Sequence, residues 1–173
     1  MLTVDTSGKQ INFTPKGLNL LKMGSKISDE IKSDLVNIDT STIQGLTDYS
    51  SINSPYYAQE NYVYKKLISK NYVFNGIEDL PFDLLIAMSL TGEIKAIQIK
   101  FKTRNYSTFK DMLNKVYGKH DTEVSTEYSM ELNDVSYQSL YWSYSEFEIR
   151  FSDSEIRIFY PTSKEYIEKL LKQ

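Results

Sequence analysis

Two apolar runs in the middle of the chain constrain its fold more than any other feature. In the first run, large apolar residues occupy every second position: Phe82, Leu84, Ile86, Met88 and Leu90. In the second run, Ile97, Ile99 and Phe101 alternate with Gln98, Lys100 and Lys102. A period of two residues is typical of a strand with one buried face. Because Thr91-Gly92 suits a tight turn between the runs, the sequence predicts an antiparallel hairpin.

A helical period follows this hairpin. Apolar residues recur at spacings of three and four, which is the pattern of a helix with one buried stripe: Phe109, Met112, Leu113, Val116 and Tyr117. Ser107 or Thr108 is the expected N-cap, and Gly118 stands at the C′ position. We expect the apolar stripe of this helix to pack on the sheet.

Two further helices are predicted near the ends of the chain. Ser28 is a plausible N-cap for a short helix whose apolar residues fall close to one face: Ile27, Ile31, Leu35 and Ile38. Pro15 to Met23, before it, suits a helical turn or packed coil. Pro161 ends the last strand, and Ser163 caps a C-terminal amphipathic helix built on Tyr166, Ile167, Leu170 and Leu171.

The remaining alternating segments predict strands and hairpins. The first fourteen residues form a hairpin around Asp5 to Gly8, and Tyr62–Leu67 and Tyr72–Phe74 are strands followed by an Asn75-Gly76 turn. Further strands are expected at 127–132, in one long run from Val135 to Phe151, and at 155–160. In the last pair, Phe147, Ile149 and Phe151 oppose Ile156, Ile158 and Tyr160, which leaves Glu146, Glu148, Arg150, Glu155 and Arg157 outside, where charges pair across strands.

These elements predict an α+β fold, in which about three helices pack on an antiparallel sheet of hairpins and a meander. Residues 1–173 form a single domain with a long polar, tyrosine-bearing loop at about 39–61. Each half has a helix followed by strands, although no residue-level period establishes a repeat.

Composition excludes several classes of protein. The chain has no cysteine, which removes disulfide scaffolds, thiol nucleophiles and cysteine-ligated metals. Its net charge of −3 argues against the basic surface that nucleic-acid binding requires. No apolar stretch is long enough to span a membrane. The first residues lack the features of an export signal, so we expect a cytoplasmic protein, or a periplasmic or envelope protein if a signal has been removed.

Few residues suggest catalysis. His120 is the only histidine, and a position just after a helix explains it without chemistry. Glu146 and Glu148 have the spacing of a carboxylate pair, but the row continues to Arg150, which is typical of a solvated sheet surface. Nucleotide-binding glycine motifs, a calcium loop and a nucleophile elbow are missing from the sequence. We therefore predict no catalytic residue, no metal site and no cofactor.

The aromatic content is the most informative feature for function. The chain contains 14 Tyr, 8 Phe and 1 Trp, and tyrosine suits protein interfaces because it combines a large ring with a polar tip. In the run from Tyr137 to Tyr144 bulky residues occur at both strand parities, so either both faces are covered or one presents Trp142 and Tyr144 to a partner. The predicted partner-binding residues are Asp48, Tyr49, Tyr56, Tyr57, Trp142, Tyr144, Glu146 and Glu148.

The leading functional hypothesis is a non-enzymatic bacterial protein of the immunity or inhibitor type, which occludes the active site of a toxin or enzyme. The run Tyr117-Gly118-Lys119, then Tyr141-Trp142, two short strands and a helix, resembles an arrangement common in small bacterial α+β proteins, some of them inhibitors or immunity proteins. The alternative is an exported, envelope-associated binding domain. The acidic candidates favour a basic partner protein, while the partner's identity and the oligomeric state stay open.

Overall fold

A computed structural model describes residues 8–38, 62–77, 80–101, 106–127, 135–144, 146–152 and 155–160, with the backbone alone at 123–127 and 135–138. Within these ranges the strands are β1 (Lys9–Ile11), β2 (Phe13–Thr14), β3 (Gly17–Leu18), β4 (Leu35–Asn37), β5 (Val63–Leu67), β6 (Tyr72–Phe74), β7 (Phe82–Met88), β8 (Ile94–Phe101), β9 (Asp121–Glu127), β10 (Val135–Tyr144), β11 (Phe147–Ser152) and β12 (Glu155–Phe159). The helices are α1 (Asp29–Lys32) and α2 (Tyr106–Tyr117), and Ser69–Asn71 forms a 3₁₀ turn.

One large antiparallel sheet dominates the structure. Its eight strands lie in the order β4-β5-β7-β8-β12-β11-β10-β9, and each neighbouring pair is antiparallel. Two small sheets flank it: β2 and β3 form a hairpin, and β1 pairs with β6 in parallel. The fold is therefore a mostly antiparallel sheet with two helices in the described ranges. The third predicted helix, after Ser163, lies outside the described residues.

The central hairpin of β7 and β8 is confirmed, with Phe82 opposite Phe101 and Ile86 opposite Ile97. Two details differ from the prediction. Leu90 lies in the turn rather than on the buried face and is 72% exposed. Gln98, expected to face solvent, is buried, because its side of the sheet also carries a small apolar cluster of Ala87, Ala96 and Phe159.

Helix α2 packs on the sheet as its apolar stripe predicts. Phe109, Leu113 and Tyr117 are buried in the main core, and the Phe109 ring centroid lies 4.1 Å from that of Phe101. The predicted N-caps are wrong: the helix begins at Tyr106, so Ser107 and Thr108 lie in its first turn. The opposite side of the sheet, which carries Ala96, Gln98 and Phe159, is called the second face below.

The N-terminal part differs from the expected pattern. The first arm of the predicted hairpin lies outside the described residues, and its second arm pairs with β6. Pro15 to Met23 contributes the turn between β2 and β3 and then β3 itself rather than a helical turn. The short helix ends at Lys32, because Leu35–Asn37 pairs with β5 as the strand β4.

In the C-terminal half, the predicted strand boundaries shift. An unpredicted strand occupies Asp121–Glu127, and the strand predicted at 127–132 lies outside the described residues except for Glu127. The single run from Val135 to Phe151 is two strands, which end at Tyr144 and begin at Phe147. Glu146 lies in a turn between them, and the sequence between the two strands has neither glycine nor proline to mark it. The predicted opposition of Ile149 with Ile158 and of Phe151 with Ile156 is confirmed.

Candidate functional site

The topology places several chain connections at one end of the large sheet. At this end β5 begins with Val63 opposite Met88, the last residue of β7, and β7 turns into β8. Across the sheet, β12 ends at Phe159 opposite Glu148, and β10 turns into β11 between Tyr144 and Phe147. We call this end, with its connections at 39–61, 89–93 and 145–146, the turn end.

Half of the predicted partner-binding residues belong to the first of these connections. Asp48, Tyr49, Tyr56 and Tyr57 lie outside the described residues. The strands on either side of them are described: β4 and β5 are neighbours, with Asn37 opposite Lys65. The end of β4 and the start of β5, which flank this segment, therefore both lie at the turn end.

Trp142 does not present its ring to solvent. Of the two alternatives for this residue, covered or presented to a partner, the structure shows the covered one. The side chain is 2% exposed and belongs to the main core. Its indole N–H donates to the carbonyl oxygen of Gly118 over 2.9 Å and lies 3.3 Å from Asn114 Oδ1. The residue faces α2 because Leu140, Trp142 and Tyr144 share the parity of the buried face, which leaves Tyr141 on the second face.

Tyr144 is half-buried in an aromatic cluster at the turn end. Its ring centroid lies 5.3 Å from that of Tyr117 and 5.9 Å from that of Phe147. Phe147 in turn contacts Tyr160, and the ammonium group of Lys95 lies 5.4 Å from the centroid of the Tyr160 ring. Burial, with a contribution from the neighbouring Tyr144, raises the pKa of the Tyr117 phenol. The cluster therefore extends from the buried core at Tyr117 and Phe147 to the surface, where Tyr144 and Tyr160 are partly exposed.

Glu146 and Glu148 do not form one acidic pair. Glu146 is exposed in the turn before β11 begins, whereas Glu148 lies within β11. The Glu148 carboxylate accepts a hydrogen bond from Arg150 Nε at 2.6 Å, and the Arg150 guanidinium lies 5.4 Å from the Tyr141 ring centroid. The charge of Glu148 is thus compensated, and Glu146 is the exposed acid of the two.

The charged residues of β11 and β12 lie on the second face of the sheet, away from the main core as predicted. The prediction that they pair across strands differs from the ion pairs that the structure describes on these two strands, which run along each strand. Arg150 lies opposite Arg157, so the two cations face each other across the strands. Each arginine bonds to the glutamate two residues earlier on its own strand, Arg150 to Glu148 and Arg157 to Glu155. Gln98 Nε2 also donates to Glu155 Oε1 over 3.0 Å. Side chains two apart on one strand share a face, which explains pairing along the strands.

Three residues of the turn end were not among the predicted site residues. Leu90 is exposed at the tip of the β7–β8 turn, and Lys95 and Tyr160 form the cation–π contact described above. Thr91-Gly92 marks a turn beside Leu90, so this signal could have placed Leu90 outside the strand. Sequence alone offers no signal for the contact between Lys95 and Tyr160, because it depends on the pairing of β8 with β12.

The described residues offer little for metal or small-ligand chemistry. His120 Nδ1 lies 2.9 Å from Asn114 Oδ1, and the His120 ring meets Trp142 edge to face at 5.6 Å. Within the described ranges, no three acidic or histidine side chains gather to hold a metal ion. Beside α1, apolar side chains pack together and leave no room for a water molecule: Ile11, Leu18, Leu20, Leu21, Ile31, Leu67 and Leu84. No helix in the described part is long and apolar enough to cross a membrane.

Comparisons of the chain with protein-family models, with curated proteins and with solved structures find no match.

Proposed function

We propose that the chain is a non-enzymatic protein-binding domain of the immunity or inhibitor type, which covers the active site of a toxin or enzyme with its turn end. The observation that carries this proposal is topological. The strand ends on either side of 39–61, the 89–93 turn, and the adjacent ends of β10 and β11 all lie at one end of a single antiparallel sheet. Connections held together by a rigid sheet are a common way to build a binding surface.

The side chains described at the turn end suit protein recognition. Leu90 offers a 72% exposed apolar side chain, and Tyr144 and Tyr160 are half-buried with their rings packed in the aromatic cluster. Packing holds these rings in place before a partner arrives, so little side-chain entropy is lost on binding. Tyrosine is also enriched among the residues that contribute most to interfaces.

The turn end carries an exposed cation, Lys26, whose backbone pairs with Glu93, but its acids favour a basic partner. Glu146 is exposed, and the segment 39–61 contains Asp39, Asp48 and Glu60 but neither lysine nor arginine. Glu93, in contrast, is paired with Lys95 at 3.3 Å. Exposed acids speed association with a basic surface and select against acidic ones.

The test is affinity capture from a lysate of the source organism, with binding strength measured for each variant. The turn-end variants are Leu90→Asp and Glu146→Lys. The matched controls are Ile68→Asp, an exposed apolar residue beyond the far end of β5, and Asp111→Lys, an exposed acid on α2. Circular dichroism verifies that each variant is folded.

We expect one stoichiometric partner that both controls retain and both turn-end variants weaken, and we expect added protein to inhibit that partner's activity at a ratio of one to one. A partner retained equally by all four variants would show that the turn end is not the binding surface. Capture of no partner would contradict a tight inhibitor and favour the exported, envelope-associated alternative.

A further inference from the structure

The two edges of the large sheet differ in length. At one edge, β4 is three residues long. At the other, β9 is seven residues long and pairs with β10 from Asp121 opposite Tyr141 to Glu127 opposite Val135 without a shift of register. In the part of the chain that the structure describes, no strand pairs with the outer side of β9. Within those ranges its outward backbone N–H and C=O groups are available as a template for another strand.

Of the usual devices that block such an edge, the sequence of β9 has only charge, in its three acidic residues. Natural edge strands are often protected by lysine, proline, a bulge or short length. The strand Asp121–Glu127 contains neither lysine nor proline, and Thr122, Val124 and Thr126 are β-branched residues that favour extended backbone. The edge is thus long, regular and able to accept a strand.

The charge of β9 selects what it accepts. Three of its seven residues are acidic, Asp121, Glu123 and Glu127, and none is basic. A second copy of this chain would bring two acidic strands side by side, which like-charge repulsion disfavours. A segment that alternates lysine or arginine with apolar residues would meet opposite charges instead.

We propose that the edge strand β9 binds an extended basic segment of a partner protein, which joins the sheet as a ninth strand. This inference rests on the proposed function, since it names the kind of segment by which the partner is held. Backbone hydrogen bonds would supply the affinity and the acids of β9 the selectivity. One partner can contact the β9 edge and the turn end at once, because the two are close. β9 begins beside Tyr141, three residues before β10 ends at the turn end.

The probe is a synthetic peptide that alternates lysine with valine, and its counterpart alternates glutamate with valine. Backbone amide exchange of the full chain is followed by NMR while each peptide is added. The test variant is the double change Glu123→Lys/Glu127→Lys. The control, Glu30→Lys/Asp111→Lys, makes the same change of charge at two exposed helical positions.

We expect the basic peptide to slow amide exchange at alternate residues of β9 in the unmodified chain and in the control. In the test variant its affinity should fall by about tenfold or more, and the glutamate peptide should now bind. Equal protection by both peptides, or no protection of β9 by either, would overturn the proposal. So would β9 protection that appears with protein concentration alone, because the occupant would then be a second copy.

The same double variant separates this inference from the proposed function. If the natural partner is lost from Leu90→Asp and Glu146→Lys but is held normally by Glu123→Lys/Glu127→Lys, the binding function stands and the strand addition is wrong. If the turn-end variants and the β9 variant all bind as the unmodified chain does, both proposals fail.

Discussion

The indole N–H of Trp142 and the carbonyl oxygen of Gly118 lie 2.9 Å apart and form a hydrogen bond between strand β10 and the end of helix α2. The carbonyl groups at the end of a helix lack partners within the helix, so a side-chain donor at this place stabilises both elements. Trp142 also fills the space between them and is 2% exposed. The residue therefore attaches α2 to the sheet.

Replacing Trp142 should destabilise the fold in two measurable steps. Trp142→Phe keeps a ring but removes the donor, and we expect a loss of about 1 kcal/mol in the free energy of unfolding. Trp142→Ala also leaves a large cavity, and we expect a loss of about 3–5 kcal/mol. Tyr141→Phe, on the second face, is the matched control and should change stability by about 0.5 kcal/mol or less. Urea denaturation measures all three, and a Phe variant as stable as the control would show that the indole bond contributes nothing.

Gly118 should tolerate asparagine better than alanine. Its φ of +88° lies in the left-handed region, and a Cβ there would meet no atom within 4 Å, so the cost of substitution comes from backbone strain alone. We expect Gly118→Ala to lower the free energy of unfolding by about 1 kcal/mol. Gly118→Asn should lose less, because asparagine adopts this conformation more readily. Thermal unfolding of the two variants gives the comparison, and equal stabilities would contradict this explanation.

Tyr72 should make stability fall in alkaline solution. Burial raises its pKa from the ordinary value of 10.0 to about 12, and the hydrogen bond donated to Asp34 at 2.5 Å and that carboxylate's charge add to the shift. Because the folded-state pKa is the higher one, the folded chain holds the proton more tightly. This contribution is complete below about pH 10 and is lost as the pH rises from 10 towards 12.

A titration of the Tyr72 ring carbon by NMR tests this cause. In Asp34→Asn the pKa of Tyr72 should fall but remain above 10.0, because burial, the largest cause, is unchanged. An unchanged pKa would mean that Asp34 has no influence on the phenol. Tyr72→Phe should remove the corresponding pH dependence of stability, as measured by urea denaturation at pH 9 and pH 11.

Tyr117 connects α2 to the β2–β3 hairpin. Its phenol donates to the carbonyl oxygen of Gly17 over 3.1 Å, a buried contact between residues 100 positions apart in the chain. Tyr117→Phe should lower the free energy of unfolding by about 1 kcal/mol, since the Gly17 carbonyl loses this donor. The control is Tyr106→Phe, whose ring stacks on Phe151 at 4.9 Å and is retained. Equal effects of the two changes would contradict a role for the buried hydrogen bond.

The elements that were predicted well are those whose local period is strong. The β7–β8 hairpin and helix α2 each have an unbroken apolar pattern and a glycine at the turn or the C′ position. Boundaries failed where the pattern runs through a turn. The alternation from Val135 to Phe151 hides the turn at Glu146, because strands on both sides of it bury large residues.

The candidate site shows the same division. The sequence placed aromatic residues at both parities of β10 and left open whether both faces are covered. It did not predict that Trp142 belongs to the covered face or that Arg150 compensates Glu148. The contact of Trp142 joins two elements that are distant in the chain. The contact of Arg150 with Glu148 lies within one strand, but the side of the sheet on which it lies is decided by where α2 packs.

The amino-acid sequence by itself determined the antiparallel β-rich character of the fold, the amphipathic helix α2 and the lack of cysteine chemistry, because periodicity and composition are local properties. Only the tertiary structure decided which aromatic rings are buried, which acids are compensated, and that the strand ends flanking 39–61, 89–93 and 145–146 lie at one end of the sheet. The physical reason is that strand order and register are set by the joint burial of the whole core, in which distant residues such as Gly17 and Tyr117 come into contact.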